Sequence, residues 1–249
     1  MKPRIAIPEP HSSRDYTDKR LRDYTDCIEA AGGEAVVIPL EFAPAEQAQL
    51  IKSCDAVLLP GSPADIDPEK YDEPRNPHTA AADVPRDNAD ELLLQDAYNM
   101  RKPVFGICYG VQSLNVWRTG KLVQHIESTV AHEVKHEARA HTVSIRPDTI
   151  LARLGQSEAD ELWVNSSHHQ ALSMLGDGLR LAAVSLQDAV VEAVEGTAPD
   201  QWVLGVQWHP ERTFADDNFS RAIFGEFIAQ ARRWHEQFAA RRNDFEAVR

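Results

Sequence analysis

Short runs of consecutive aliphatic residues, separated by amphipathic stretches, constrain the fold of this chain more than any other feature. In the first half these runs lie at residues 4–8, 35–39, 56–59 and 104–107. They are continuous rather than alternating, which is typical of parallel strands covered on both faces. Helical periodicity fills the intervals at about residues 20–31, 45–53 and 87–99. This alternation predicts an α/β fold with a doubly wound, mainly parallel sheet and helices on both faces.

The second half has shorter apolar runs, near residues 142–145, 162–165, 179–185, 190–195 and 202–207, and ends in a helical pattern from about residue 216. No internal repeat, low-complexity tract or linker divides the chain. We therefore expect one domain over residues 1–249. Six of the 15 prolines fall between residues 60 and 86, which predicts an ordered loop beside the ligand crevice.

Charge and cysteine content disfavour several classes of function. The 26 Lys and Arg residues against 39 Asp and Glu residues give a net charge of −13, opposite in sign to a nucleic-acid-binding surface. No apolar stretch is long enough for a signal peptide or a membrane span, so we expect no membrane association. Cys27, Cys54 and Cys108 share no C-x-x-C spacing. The absence of this spacing disfavours disulfides and thiolate zinc sites. It predicts a cytoplasmic protein.

The pattern Gly-x-Cys-x-Gly at residues 106–110 joins a buried strand to a helix-compatible segment. It is the thiol form of the nucleophile elbow, a sharp turn that lifts its central side chain above the sheet. The helix N-terminus would favour the thiolate of Cys108, and the turn would direct the Tyr109 N–H at a developing oxyanion. We expect the two glycines to leave room for the turn and for substrate. The alternative is that Cys108 is a small buried apolar residue.

The sequence Trp208-His209-Pro210-Glu211 follows the last apolar run. Pro210 disfavours helical geometry at His209, so we expect an extended chain in which the His209 and Glu211 side chains face the same way. The carboxylate could then orient the imidazole and stabilise its charged form. Considered alone, His209 could equally be a structural histidine.

Together these two motifs resemble the class I glutamine amidotransferase domains. Further segments are similar to one branch, the γ-glutamyl-γ-aminobutyrate hydrolase-like proteins of peptidase family C26. These segments are Leu59-Pro60-Gly61-Ser62 with Asp67-Pro68 and Tyr71, Arg86-Asp87 with Glu91, and the stretch from Trp163 to Gln170. The resemblance extends from the first strand to about Phe238 and implies a flavodoxin-like, three-layer fold.

The resemblance implies that Cys108, His209 and Glu211 form a catalytic triad that needs no metal or organic cofactor. It also implies an oxyanion hole made by the Tyr109 N–H and a backbone N–H near Ser62. The residues implied to bind substrate are Gly61, Gln112, Asn165, Ser166 and His168. Two positions depart from the branch: Tyr109 stands where arginine is frequent, and Ser62 replaces the second glycine of a Gly-Gly pair. These departures leave the identity of the amine leaving group open.

The function implied is hydrolysis of the γ-glutamyl amide bond of a small γ-glutamyl amine, such as γ-glutamyl-γ-aminobutyrate. Cys108 would form a thioester, His209 would act as general base, and glutamate and the amine would be released. One alternative is a glutaminase subunit that supplies ammonia to a separate synthetase. A lower-ranked alternative is a non-catalytic binding protein on the same fold. The expected partner is a small-molecule substrate, and a homodimer is a further expectation.

Two histidine-containing segments could be mistaken for metal sites. Residues 132–136, His-Glu-Val-Lys-His, fit the H-E-x-x-H zinc signature. Their surroundings lack the apolar stripe of a buried zinc helix, and no third ligand is evident, so we expect no metal there. His168 and His169 would point apart on a strand, which predicts a substrate contact for His168 and none for His169.

Overall fold

The computed structural model describes residues 1–130, 140–155 and 161–247, and its centre is a mixed β-sheet. The strands are β1 (Arg4–Pro8), β2 (Glu34–Ile38), β3 (Ala56–Leu59), β4 (Val104–Ile107), β5 (Lys121–Val123), β6 (His141–Ile145), β7 (Glu161–Val164), β8 (Ala171–Met174), β9 (Leu179–Ser185), β10 (Val191–Gly196) and β11 (Val203–Val206). Nine of them lie in the order β2-β1-β3-β4-β11-β10-β9-β6-β7. The first five strands in this order, from β2 to β11, pair in parallel with their neighbours. From β11 onward, each neighbouring pair in this order is antiparallel.

Helices cover both faces of the sheet, so the predicted doubly wound α/β architecture is confirmed. They are α1 (Arg14–Ala30), α2 (Pro44–Lys52), α3 (Val84–Met100), α4 (Tyr109–Trp117), α5 (Ile126–Thr129), α6 (Ile150–Leu154) and α7 (Asn218–Ala247). Side chains of α1 and α7 pack in one apolar cluster with the sheet, and those of α2, α3 and α4 pack in another on the opposite face.

The continuous aliphatic runs follow from this two-sided burial. In β3, Leu58 packs in the cluster with α1 and α7, whereas Val57 and Leu59 pack in the cluster with α2, α3 and α4. Successive strand residues face opposite sides of a sheet, so both faces must be apolar when helices cover both. The sequence pattern does not predict the two short strands β5 and β8, which pair with each other and join the sheet through β10, because they lack such a run.

The proline-rich segment between β3 and α3 is ordered, as expected. It contains a short 3₁₀ helix, Pro68–Tyr71, which begins where the Asp67 side chain accepts the N–H of Glu69 at 3.2 Å. The segment contributes Ser62 and Asp65 to the wall of the cavity described below. No helix in the described ranges is both long enough and apolar enough to span a membrane.

Helix α3, Val84–Met100, extends beyond the predicted range of about residues 87–99 at both ends. Ala89, Leu93 and Ala97 are fully buried on one face of the helix, whereas Met100 in its last turn is 39% exposed. Arg101 adopts a left-handed conformation with φ 58°, and its N–H bonds to the carbonyl of Tyr98. The helix therefore ends directly after Met100, whose side chain stays partly exposed.

Candidate active site

Cys108 occupies a strained turn between β4 and α4. Its backbone has φ 53° and ψ −110°, outside the regions that side-chain-bearing residues ordinarily adopt. The Cys108 N–H donates to the carbonyl of Val206 at 2.8 Å, which ties the turn to the end of β11. The side chain is 6% exposed. The predicted strand–turn–helix geometry of a nucleophile elbow is confirmed.

The glycines that flank the elbow leave room for the tightly packed turn, as expected. A Cβ atom at Gly110 would collide with the carbonyl of Leu59 in β3, and one at Gly106 would lie 2.8 Å from the carbonyl oxygen of Gly110. Neither glycine has a positive φ. The expectation that these glycines leave room for substrate is wrong, because the backbone of the neighbouring strand and helix fills the space beside them.

His209 lies just beyond β11 and is hydrogen-bonded to the predicted acid. Its Nδ1 is 2.6 Å from Oε1 of Glu211, and both side chains are buried. His209 itself is non-helical, as expected, with φ −114° and ψ 81°, but the expected extended chain is wrong at Glu211, because Pro210–Arg212 form a 3₁₀ helix. Pro210 occupies the first position of that turn, where its fixed φ is favourable and its missing N–H is not needed. The carboxylate reaches the imidazole from the turn.

The charge of His209 depends on its neighbours. Burial alone would lower the pKa of His209, but the Glu211 carboxylate and the nearby Cys108 side chain outweigh burial and raise the pKa to about 9. The imidazole is therefore protonated at neutral pH. Since Nδ1 is taken by Glu211, the hydrogen-bonding interaction with Cys108 that helps to raise the pKa of His209 falls to Nε2. A buried imidazolium of this kind stabilises an adjacent thiolate and can later donate its proton.

The loop after β3 lies against both Cys108 and His209. A Cβ atom at Gly61 would be 3.1 Å from Cε1 of His209 and 3.5 Å from Cβ of Cys108. Within the described residues, the N–H groups of Ser62 and Tyr109 bond to no protein acceptor. The Ser62 hydroxyl accepts the N–H of Ala64 at 3.2 Å and so stabilises the loop itself. Two unused N–H donors near a nucleophile are what an oxyanion hole requires.

A polar cavity of about 250 Å³ opens above Cys108. Its size suits a small metabolite rather than a polymer. Its wall consists of Ser62, Pro63, Ala64, Asp65, Cys108, Tyr109, Gln112, Ser167, His168, His169 and Gln170.

The structure brings only some of the predicted substrate-binding residues to this cavity. Gln112 and His168 line it, and Gly61 lies beside it, whereas Asn165 and Ser166 are not part of the wall. The Asn165 amide accepts the N–H of His209 at 2.9 Å and donates to its carbonyl at 2.8 Å. Asn165 therefore holds the backbone of His209, and its contact with substrate stays a prediction.

His169 was expected to have no role at the site, but it lines the cavity together with His168. The expectation is wrong because residues 165–168 form no regular strand, so the two neighbours need not point apart. The Nε2 of His169 is 2.8 Å from Oδ1 of Asp65, a side chain whose carboxylate also accepts the N–H of Ala80. This pair joins residues more than 100 positions apart, so sequence spacing gave no signal for it.

A buried acid of the sheet, Glu192, orients the imidazole of His168. The carboxylate of Glu192 in β10 is 3.6 Å from Nε2 of His168 and 3.0 Å from Nε2 of His141. The other imidazole nitrogen of His168 lies 2.9 Å from the carbonyl of Gln170.

The H-E-x-x-H segment at residues 132–136 lies outside the described residues. Within the described ones, no group of three or more His, Cys, Asp or Glu side chains is arranged to hold a metal ion.

Comparison with known proteins identifies the family. The family model described as Peptidase C26 matches residues 5–211. This chain belongs to the peptidase C26 family. The matched span includes the elbow, the loop after β3 and the His209–Glu211 pair.

Curated relatives place the chain among hydrolases and amidotransferase-like proteins of the peptidase C26 family. It is 33% identical over 229 residues to the γ-glutamyl-γ-aminobutyrate hydrolase PuuD of Escherichia coli, covering 88% of this chain and 87% of that protein. It is 34% identical over 214 residues to the protein NtpR of Enterococcus hirae, with 83% and 87% covered. A solved structure from Thermoplasma acidophilum, described as one subunit of a GMP synthase, shares the fold with a TM-score of 0.67. That match has 16% identity and covers 96% of this chain and 98% of the other.

The strain at the elbow predicts an unusual effect on stability. Replacing Cys108→Gly should give a protein more stable than Cys108→Ala by about 1 kcal/mol, because glycine tolerates positive φ. Urea unfolding of the two variants measures the difference. Ala189, with φ 59° in the turn between β9 and β10, is a matched site where Ala189→Gly should also stabilise. If the glycine variant at position 108 were the less stable one, the strained conformation would be contradicted.

The raised pKa of His209 predicts how activity depends on pH. Since Glu211 helps to raise that pKa to about 9, kcat/KM should fall as the pH rises through that value and the imidazolium loses its proton. In Glu211→Gln the charge is removed, so the decline should begin at lower pH, and kcat should fall by about 10²–10⁴-fold. Rate profiles of both proteins across neutral and alkaline pH test this. If the rates of the two proteins declined at the same alkaline pH, Glu211 would not set the charge of His209.

Proposed function

We propose that this peptidase C26 protein hydrolyses the γ-glutamyl amide bond of small γ-glutamyl amines. The observation that carries the proposal is a cysteine at a strained elbow, next to a buried histidine–glutamate pair and at the base of a small polar cavity. In this proposal Cys108 is the nucleophile, His209 transfers protons and Glu211 orients and charges His209. The name of the Escherichia coli relative supports γ-glutamyl compounds as the substrate class.

The first step is attack of the Cys108 sulfur on the γ-carbonyl carbon. Because His209 is protonated at neutral pH, it favours the thiolate electrostatically rather than acting first as a general base. The negative charge that develops on the carbonyl oxygen is stabilised by the N–H groups of Ser62 and Tyr109. Each such donor contributes about 3–4 kcal/mol to the transition state in comparable sites.

Collapse of the tetrahedral intermediate breaks the carbon–nitrogen bond and leaves a thioester. The His209 imidazolium gives its proton to the departing amine and becomes neutral. Neutral His209 then takes a proton from water, which attacks the thioester, and glutamate and the Cys108 thiolate are released. No proton or electron is left over at the end of these steps.

The wall of the cavity supports recognition of the glutamyl group. The polar side chains of Gln112, His168 and His169 line the cavity beside the Asp65 carboxylate, whose negative charge suits an ammonium group. His168 is held by Glu192 and Gln170, so its orientation is fixed before substrate binds. In this proposal the part of the proline-rich loop beyond Asp65 would face the amine.

We propose a cytoplasmic location for the protein. Cys27, Cys54 and Cys108 are all free thiols, although a secreted protein of this kind would gain stability from disulfides. This supports a reducing compartment.

A second candidate is a glutaminase subunit that supplies ammonia to a synthetase. The solved structure that shares this fold is described as part of a synthase, which favours retaining this alternative. The two functions differ in donor, since one needs γ-glutamyl amines and the other needs glutamine and a partner.

We expect the isolated chain to hydrolyse several γ-glutamyl amines, with glutamine a poor substrate. The matching α-glutamyl amides should have kcat/KM values lower by about 10³-fold or more, because their charged groups would not meet the polar groups of the cavity wall. Enzymatic detection of released glutamate measures each rate, and Cys108→Ala, which lacks the sulfur, gives the background.

Two outcomes would contradict this expectation in different ways. If glutamine were the best substrate and an added synthetase increased its turnover, the glutaminase alternative would replace the proposal. Equal cleavage of α- and γ-glutamyl amides would show that the cavity does not read the glutamyl group.

A further inference from the structure

One peptide group at the start of the loop after β3 is hydrogen-bonded at both ends by buried side chains. The carbonyl of Pro60 accepts an N–H from Nη2 of Arg86 at 2.7 Å. The N–H of Gly61, on the same peptide plane, donates to the hydroxyl of Tyr24 at 3.1 Å. Arg86 is fully buried and Tyr24 is 3% exposed. Water therefore does not compete for either bond.

Arg86 is itself held on every side. Its Nη1 donates to the carbonyl of Pro10 at 2.9 Å, and its Nε donates to Asp90 at 2.8 Å. The guanidinium carbon of Arg86 lies 4.8 Å from the centre of the ring of Tyr109, and Tyr109 directly follows the nucleophile in the chain. A planar guanidinium bonded in three directions cannot rotate without breaking several contacts. Arg86 thus connects the loop after β3 to the elbow.

Tyr24 reaches the same peptide group from helix α1 on the other face of the sheet. Burial, with smaller contributions from Glu211 and Cys108, raises the pKa of Tyr24 well above its ordinary value, so the hydroxyl stays neutral. A neutral hydroxyl can accept the N–H of Gly61. A Cβ atom at Gly61 would lie 2.9 Å from the Tyr24 oxygen, so the residue must be glycine for this approach.

We propose that Tyr24 and Arg86 are positioning residues for the oxyanion hole. They clamp the Pro60–Gly61 peptide, and the clamp fixes the direction of the next N–H in the chain, that of Ser62. Glycine alone would leave this peptide free to rotate. A donor that is oriented in advance stabilises the oxyanion without reorganising during the reaction. The inference rests on the proposed function, and it adds that the chain needs no partner to arrange its oxyanion loop.

The test compares two reactions of Cys108 that differ in their need for an oxyanion hole. With p-nitrophenyl acetate, the sulfur attacks a carbonyl, an oxyanion forms, and p-nitrophenolate leaves. With iodoacetamide, the sulfur displaces iodide from a saturated carbon and no oxyanion forms. In Tyr24→Phe we expect acylation to slow by about 10- to 100-fold while alkylation stays within about twofold of wild type.

Tyr71→Phe is the matched control. Tyr71 is 5% exposed, and its hydroxyl has no hydrogen-bond partner among the described residues, so its removal should leave both rates unchanged. Equal slowing of both reactions in Tyr24→Phe, or of neither, would overturn the clamp. A shift in the pH dependence of alkylation would also overturn it, because Tyr24 would then act on the sulfur itself. Neither reagent contains a γ-glutamyl group, so failure of the proposed substrate class would not affect this readout.

Arg86→Lys tests the other end of the clamp. Lysine keeps the positive charge beside the buried Asp90 but cannot reach Asp90, Pro10 and Pro60 together. We expect the same selective loss of acylation, with the fold checked by circular dichroism. Normal acylation in a folded Arg86→Lys protein would contradict a role for Arg86. If this variant does not fold, the Tyr24→Phe result decides the proposal alone.

Discussion

The close approach of β3, β4 and α4 at the elbow is the contact on which the rest of the site depends. Helix α4 packs so tightly on the sheet that Gly110 has no room for a Cβ atom beside the Leu59 carbonyl. That packing forces the turn at Cys108 into a strained backbone conformation. The surrounding strands must therefore supply enough packing energy to hold a conformation that costs about 1–3 kcal/mol. In return the sulfur projects above the sheet, where substrate can reach it.

Parallel pairing brings the remaining groups to the sulfur. Because β3, β4 and β11 are neighbours and run the same way, the loop after β3, the elbow and the His209 turn all emerge at one edge of the sheet. The hydrogen bond from the Cys108 N–H to Val206 fixes the elbow against β11. Asn165 then fixes the His209 backbone from the antiparallel half of the sheet. The site is thus supported by both halves of the fold.

The sequence was informative where local rules operate and uninformative where contacts are distant. Continuous aliphatic runs predicted the parallel strands, and the Gly-x-Cys-x-Gly pattern predicted the elbow, because both depend on neighbours in the chain. The 3₁₀ turn at Pro210 was missed, since the rule for residues before proline restricts His209 but not Glu211. Contacts between Asp65 and His169, and between Tyr24 and Gly61, depend on tertiary packing and leave no spacing in the sequence.

The central claim is that Cys108 carries the acyl group during turnover, and trapping the intermediate tests it most directly. The protein is mixed with a γ-glutamyl amine, quenched in acid during turnover and analysed by mass spectrometry, intact and after proteolysis. We predict one added glutamyl group, located on the peptide that contains Cys108 and removed by hydroxylamine as expected for a thioester. A glutamyl group on another residue, or steady turnover with no adduct in a quench fast enough to capture one, would contradict the account.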